Sequence, residues 1–186
     1  MSFKPRDRAF PLPTAPMKIY EAPEVLGDPH LNIIDWGPQN NPFVSRSKLA
    51  VGLFDQVYLI DHLTGTNSVI ANLNSKKTTG SKDSYICSIN FDRSGEALAI
   101  GTSDRQVQIY DVERQQKVRQ ITGSGARVSS LSWNRSIMAP YLITASGADS
   151  IIMNHDVRVK NSMVSLMRKH LNEVITLNWS ANSSYE

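Results

Sequence analysis

A repeat-built, all-β fold is predicted by three features of this sequence. Short β-prone runs follow one another with Gly, Asn, Asp or Ser between them, and no long stretch carries the apolar period of a helix. Runs ending in an aromatic recur at Ile33–Trp36, Ile86–Phe91, Val128–Trp133 and Val174–Trp179, their aromatics 55, 42 and 46 residues apart. A second register places Asp61, Asp111 and Asp156 at the ends of VYLID, VQIYD and IMNHD. Two of the three spacings match the roughly 40–45 residues of a WD repeat, whose third strand closes on a Trp-Asp pair. The predicted architecture is a WD-repeat β-propeller, incomplete here, with about three blades and the start of a fourth.

The elements follow in order. Residues 1–30 hold six of the nine prolines (Pro5, Pro11, Pro13, Pro16, Pro23 and Pro29). Proline fixes φ and removes a ladder donor, so this stretch is expected to be an extended arm laid over a folded body. Residues 31–186 form the partial propeller, with repeats at about 31–73, 84–121, 127–167 and a truncated 173–186. In each complete repeat the aromatic-ended strand is followed by a strand of small residues: LAVGL at 49–53, LAIGTSD at 98–104 and LITASGAD at 142–149. Small side chains suit the crowded axis of a propeller, and Trp36, Trp133 and Trp179 are expected to fill space between blades. The polar stretch Asn72–Asp83 lengthens the first interval as a surface insertion. Propellers close with about 4–8 blades, so three and a fraction leave raw ends. The chain is therefore expected to be part of a longer protein, or a product that cannot close alone.

Composition narrows the function classes. Lys and Arg number 20 against 17 Asp and Glu, a net charge of +3, and the densest basic clusters, Lys76-Lys77 and Arg168-Lys169-His170, are short. A nucleic-acid binder would show a basic stripe or stacking platform; these read as ordinary solvated charges. Cys87 is the single cysteine and sits in the apolar run Tyr85–Ile89, the setting of a buried inert thiol. No stretch approaches the ~20 apolar residues of a membrane span, and the N-terminus leads into prolines rather than an apolar signal core. An intracellular, soluble chain is expected, on which the sequons at Asn134, Asn178 and Asn182 have no bearing. Catalysis is not expected either. His155-Asp156 and Ser124-Gly125 lack partners for a metal site or a nucleophile–base–orienter set, and Gly123-Ser124-Gly125 lacks the Lys-Ser/Thr of a phosphate loop. No cofactor or metal is predicted.

Several segments resemble one WD-repeat family. KIYEAPEVLGDPHLNIIDW (18–36) is similar to the lead-in to blade one of the Fizzy family, the Cdc-twenty-type activators of the anaphase-promoting complex. The match continues in order through LAVGLFDQVYLIDHLTG (49–65), LAIGTSDRQVQIYDVERQQKVRQITG (98–123), GARVSSLSWN (125–134) and IIMNHDVRVKNSMVS (151–165). NEVITLNWSANSSYE resembles the start of the next repeat, so the likeness covers residues 17–186. It implies a subunit that brings degron-bearing cell-cycle proteins to a ubiquitin ligase and stimulates it. Its partners would be complex subunits and proteins with destruction-box or KEN degrons, with no nucleic acid or membrane, in nucleus and cytoplasm.

The resemblance also implies site residues. Glu21 stands where the family has the Asp that meets a destruction-box arginine, and Tyr20 at the apolar position before it. Asp28 corresponds to the Asp that meets the lysine of a KEN degron, although Pro29 and His30 replace the family's Tyr-Tyr pair after it. A third family groove, between blades two and three, falls almost wholly within residues 84–170. Asp7-Arg8-Ala9-Phe10-Pro11 resembles a degraded copy of the ligase-docking C-box, and also the linker before blade one, which carries an Arg-x-Ile-Pro pattern. Two functions stay open: an activator of that ligase, and a WD scaffold or truncated relative that holds partners without delivering degrons.

Overall fold

The computed structural model describes residues 14–16, 18–38, 48–74, 83–123 and 125–180. Within them every regular element is a β-strand, and twelve strands form three four-stranded antiparallel meanders. The first blade contains β1 (Ile34–Trp36), β2 (Lys48–Leu53), β3 (Gln56–Asp61) and β4 (Asn67–Asn72). The second contains β5 (Ile86–Phe91), β6 (Ala97–Thr102), β7 (Gln106–Asp111) and β8 (Gln116–Thr122). The third contains β9 (Ser130–Trp133), β10 (Leu142–Ser146), β11 (Ile152–Asp156) and β12 (Met163–Met167). Asp61, Asp111 and Asp156 end the third strand of each blade, as the second sequence register requires. Residues 1–13 and 17 of the arm expected over 1–30, the possible C-box, Ser124 and residues 75–82 of the insertion expected over 72–83 lie outside the described residues.

Blades stack face to face through two apolar layers. Ala50, Val57, Leu59 and Ile70 of blade one meet Ile86, Ile89, Phe91, Leu98 and Ile100 of blade two. On its other face blade two offers Ala99, Val107, Ile109 and Ile121 to Leu131, Trp133, Ile143 and Ala145 of blade three. Burial on both faces explains why β6 is apolar almost throughout rather than alternating. Small residues in the second strands answer this stacking as well as the axis: a Cβ on Gly101 would lie 2.2 Å from Ser88 Oγ and 2.8 Å from the Val128 carbonyl oxygen.

The residue before each terminal aromatic staples one blade to the next. Asp35 Oδ2 accepts the Phe91 N–H at 2.7 Å and Asn90 Nδ2 at 3.1 Å. Asn90 Oδ1 in turn accepts the Trp133 N–H at 2.8 Å, and the Asn90 carbonyl accepts Trp133 Nε1–H at 3.1 Å. Ser132 Oγ accepts the Trp179 N–H at 3.1 Å. Burial raises the Asp35 carboxyl above its usual range against the pull of those donated hydrogen bonds.

One expectation is corrected. Residues 174–179 form no strand, because an inner strand is ordered by the second strand of its own blade, and none is present among the described residues. They dock instead on blade three through Ser146 Oγ–H to the Val174 carbonyl and Trp179 Nε1–H to Thr144 Oγ1 at 2.9 Å. Among the described residues no blade packs on the Trp36 side of blade one, and Trp36 is 44% exposed there, edge-on to His62. Trp133, 3% exposed, fills an interblade space.

Cys87 is fully buried, and that burial pushes its thiol up to about 12. Alkylation needs the thiolate, so native protein at pH 8 should react with iodoacetamide more than about 100-fold slower than protein in urea. Equal rates, read by mass spectrometry, would place Cys87 at the surface.

Candidate functional site

Each meander puts its β1–β2 and β3–β4 types of turn at one end of the blade and the remaining connections at the other. The inner strands of neighbouring blades run parallel, as the Asn32–Ser88 bridge records, so like ends coincide around the axis. The lead-in segment crosses between the two ends. Lys18 Nζ donates to the His62 carbonyl at 2.7 Å, at the end carrying the β3–β4 turn. Ten residues later Asp28 is bonded to Arg127, at the opposite end.

Between these fixed points the chain is exposed. Ile19 is 84% and Tyr20 41% exposed, Glu21 is exposed, and nothing lies within 4 Å of a Cβ built on Gly27. Glu24 takes a left-handed φ of 60° in the turn at 23–24. Among the described residues Glu21 has no ion-pair partner. On blade one, Ile34 and Trp36 also expose apolar surface. Tyr20 and Glu21 therefore share one accessible stretch, and Asp28 sits apart from them in a different environment.

Asp28 belongs to an ionic cluster that joins the lead-in to the third and fourth repeats. Its Oδ1 accepts the His30 N–H at 2.9 Å, and its Oδ2 accepts Arg127 Nη1–H at 2.6 Å. Arg127 also donates through Nε and Nη2 to the two oxygens of Glu173, at 3.2 and 3.1 Å, a bidentate pair. Glu173 accepts the Ser129 hydroxyl as well and lies 3.0 Å from His30 Nδ1. Asn32 ties the same region to the carbonyls of Ser129 and Ile175. The His30 and Arg127 hydrogen bonds hold the Asp28 carboxyl below the usual carboxylate range. Burial works to raise Glu173, but its bonds from Arg127 and Ser129 outweigh that and lower it. Arg127 is raised, chiefly by Glu173.

Sequence reasoning missed Arg127 and Glu173. Both charged residues fall just before apolar strand-like runs, which marks the starts of neighbouring inner strands, but pairing across 46 residues needs the fold.

A groove of about 610 Å³ runs between blades two and three, lined by Ile121, Thr122, Met153, His155, Lys160 and Met163. Arg119 closes its end by donating to the carbonyls of Val157 and Val159. His155 is 2% exposed, with Nδ1 3.0 Å from Ser162 Oγ and, among the described residues, no partner for Nε2. Burial and the nearby Arg119 charge lower its pKa. Asp156 pairs instead with Arg158 at 2.8 Å, so His155 and Asp156 form no catalytic dyad. Among the described residues no group of three or more His, Cys, Asp or Glu could hold a metal ion.

Comparison with known proteins agrees with this architecture. Residues 50–136 match the family described as anaphase-promoting complex subunit 4 WD40 domain. The chain is 34% identical to the anaphase-promoting complex subunit cdc20 of Dictyostelium discoideum over 91% of its own length and 30% of that protein's. It is 36% identical to the protein FIZZY-RELATED 3 of Arabidopsis thaliana, covering 91% of itself and 31% of the relative. A chain in the crystal structure of a mitotic checkpoint complex superposes with a TM-score of 0.77 at 31% identity, over 97% of this chain and 49% of that one. The chain thus spans about a third of the curated relatives' length and half of the solved one. Its repeat order, its three stapled blades and these likenesses agree: the chain belongs to the Fizzy and Fizzy-related family of WD-repeat proteins.

Proposed function

We propose that the chain is part of a substrate-recruiting activator of the anaphase-promoting ubiquitin ligase, a non-catalytic protein that binds degrons of cell-cycle proteins. The observation that carries this reading is the lead-in segment, held at both ends and exposed between them, with Tyr20 and Glu21 in the exposed stretch. A destruction box offers an arginine and a leucine; an exposed carboxylate beside an exposed tyrosine ring suits both. Asp28 is the residue proposed to meet a KEN lysine, and the groove between blades two and three is a third peptide surface. Relatives named as subunits or cofactors of that complex support the reading. The protein would act in nucleus and cytoplasm on protein partners, with no nucleic acid or membrane.

Glu21→Lys in the intact protein should cost about 1–3 kcal/mol of destruction-box peptide affinity, the scale of a charged hydrogen bond lost. Folding should be nearly unchanged, because an exposed residue of such a segment contributes little. Asp28→Ala should spare this peptide and weaken KEN-peptide binding alone. Fluorescence polarisation with both peptides checks this. Equal destruction-box affinity in wild type and Glu21→Lys would refute the assignment. That result would favour the second reading, a WD scaffold without degron delivery, to which the occupied carboxylate of Asp28 already lends support.

A further inference from the structure

Asp28 is proposed above as a lysine-binding carboxylate, yet a cation of the chain itself already holds it. The guanidinium of Arg127 reaches it at 2.6 Å while gripping both oxygens of Glu173. The three side chains are 33%, 22% and 16% exposed, so the cluster is only partly open to solvent. Asp28 and Glu173 together carry two negative charges against one on Arg127, and a second cation is attracted to that remainder but repelled by the guanidinium. Adjoining contacts pin the backbone of the lead-in: His30 N–H is fixed on Asp28, Asn32 N–H on the Cys87 carbonyl, and Asn32 Nδ2 on Ser129 and Ile175.

From this geometry we infer that Arg127 is an intramolecular competitor at the Asp28 site, clasping residues 28–32 through Glu173 and setting the affinity for a ligand's cationic side chain. The inference rests on the degron reading of Asp28 and assigns it a regulator within the fold. It differs in sign from a supporting role. If Arg127 merely positioned Asp28, its loss would weaken binding of a lysine-bearing peptide. As a competitor, its loss strengthens that binding.

The experiment compares wild type, Arg127→Gln, Arg127→Lys and Glu173→Gln. A peptide with a Lys-Glu-Asn core is titrated against each, with a norleucine-for-lysine peptide as control, and amide hydrogen exchange is followed at residues 28–33. Removing a like charge a few ångströms from the incoming ammonium should tighten Arg127→Gln on the order of 3–10-fold for the lysine peptide only. Exchange at His30 and Asn32 should speed up by about tenfold, with β6 and β7 unchanged as the check on folding. Arg127→Lys keeps the charge and should show no gain. Glu173→Gln frees Arg127 to sit wholly on Asp28 and should weaken the peptide. Equal or weaker binding by Arg127→Gln overturns the competition, and unchanged exchange overturns the clasp. If neither wild type nor Arg127→Gln binds the lysine peptide, the degron reading of Asp28 falls and the competition with it. Binding without gain sinks the competition alone.

Discussion

Trp133→Ala should lower the unfolding free energy by about 3–5 kcal/mol, the scale of emptying a large buried aromatic site. Trp133 is 3% exposed and packed among Val107, Ile109, Ile121, Ile143 and Ala145, on the seam where blade three meets blade two. Its Nε1–H also donates to the Asn90 carbonyl across that seam, so truncation removes an interblade hydrogen bond as well. Trp133→Phe keeps most of the ring and loses only the donor, and about 1–2 kcal/mol is expected of it. Trp36→Ala, at the same repeat position but 44% exposed, should cost less than either. Urea midpoints at constant m-value measure all three. A Trp36→Ala cost equal to that of Trp133→Ala would mean that blade one's open face is covered in solution.

The blades were readable in the sequence because two periodic signals, terminal aromatics and terminal aspartates, report the same repeat from different strands. Each is local, so neither needs knowledge of what packs where. The staple was also present, as the polar residue before each aromatic (Asp35, Asn90, Ser132), but its meaning depends on the neighbouring blade being one repeat away. Position 178 holds Asn in the same register. Trp36 shows the same dependence: repeat position predicts a bulky side chain there, whereas burial depends on a neighbour on that side. Tyr20 and Glu21 came from resemblance alone, and the geometry adds their exposure. Asp28 came the same way, but the arginine that occupies it lies 99 residues on, and no spacing rule links the two.

Gly147→Ala should be comparably severe, costing about 2–4 kcal/mol through overpacking against main chain. A Cβ on Gly147 would lie 1.9 Å from the Arg127 carbonyl oxygen, 3.0 Å from its carbonyl carbon and 3.6 Å from Val128 Cα. None of these is the free end of a side chain, so the methyl can be admitted only by driving the blade two–blade three connection away from the β10–β11 turn. That turn is itself bonded on both sides. Ala148 N–H reaches the Arg127 carbonyl at 3.4 Å, and the Gly147 carbonyl accepts from Val174 at 3.4 Å. Displacing residue 127 should therefore also withdraw its guanidinium from Glu173 and Asp28, coupling a stability loss to faster exchange at residues 28–32. Two controls separate this from the ordinary price of replacing glycine. Gly65 has a φ of +72° with nothing within 4 Å, so Gly65→Ala should cost only about 1 kcal/mol of backbone strain. At Gly125 the nearest atom is Asp149 Oδ2 at 3.6 Å, an ordinary contact, and Gly125→Ala should be close to neutral. Thermal melts rank the three variants. If Gly147→Ala melts with Gly125→Ala and leaves exchange at residues 28–32 unchanged, the close approach of the two connections does not exist in solution.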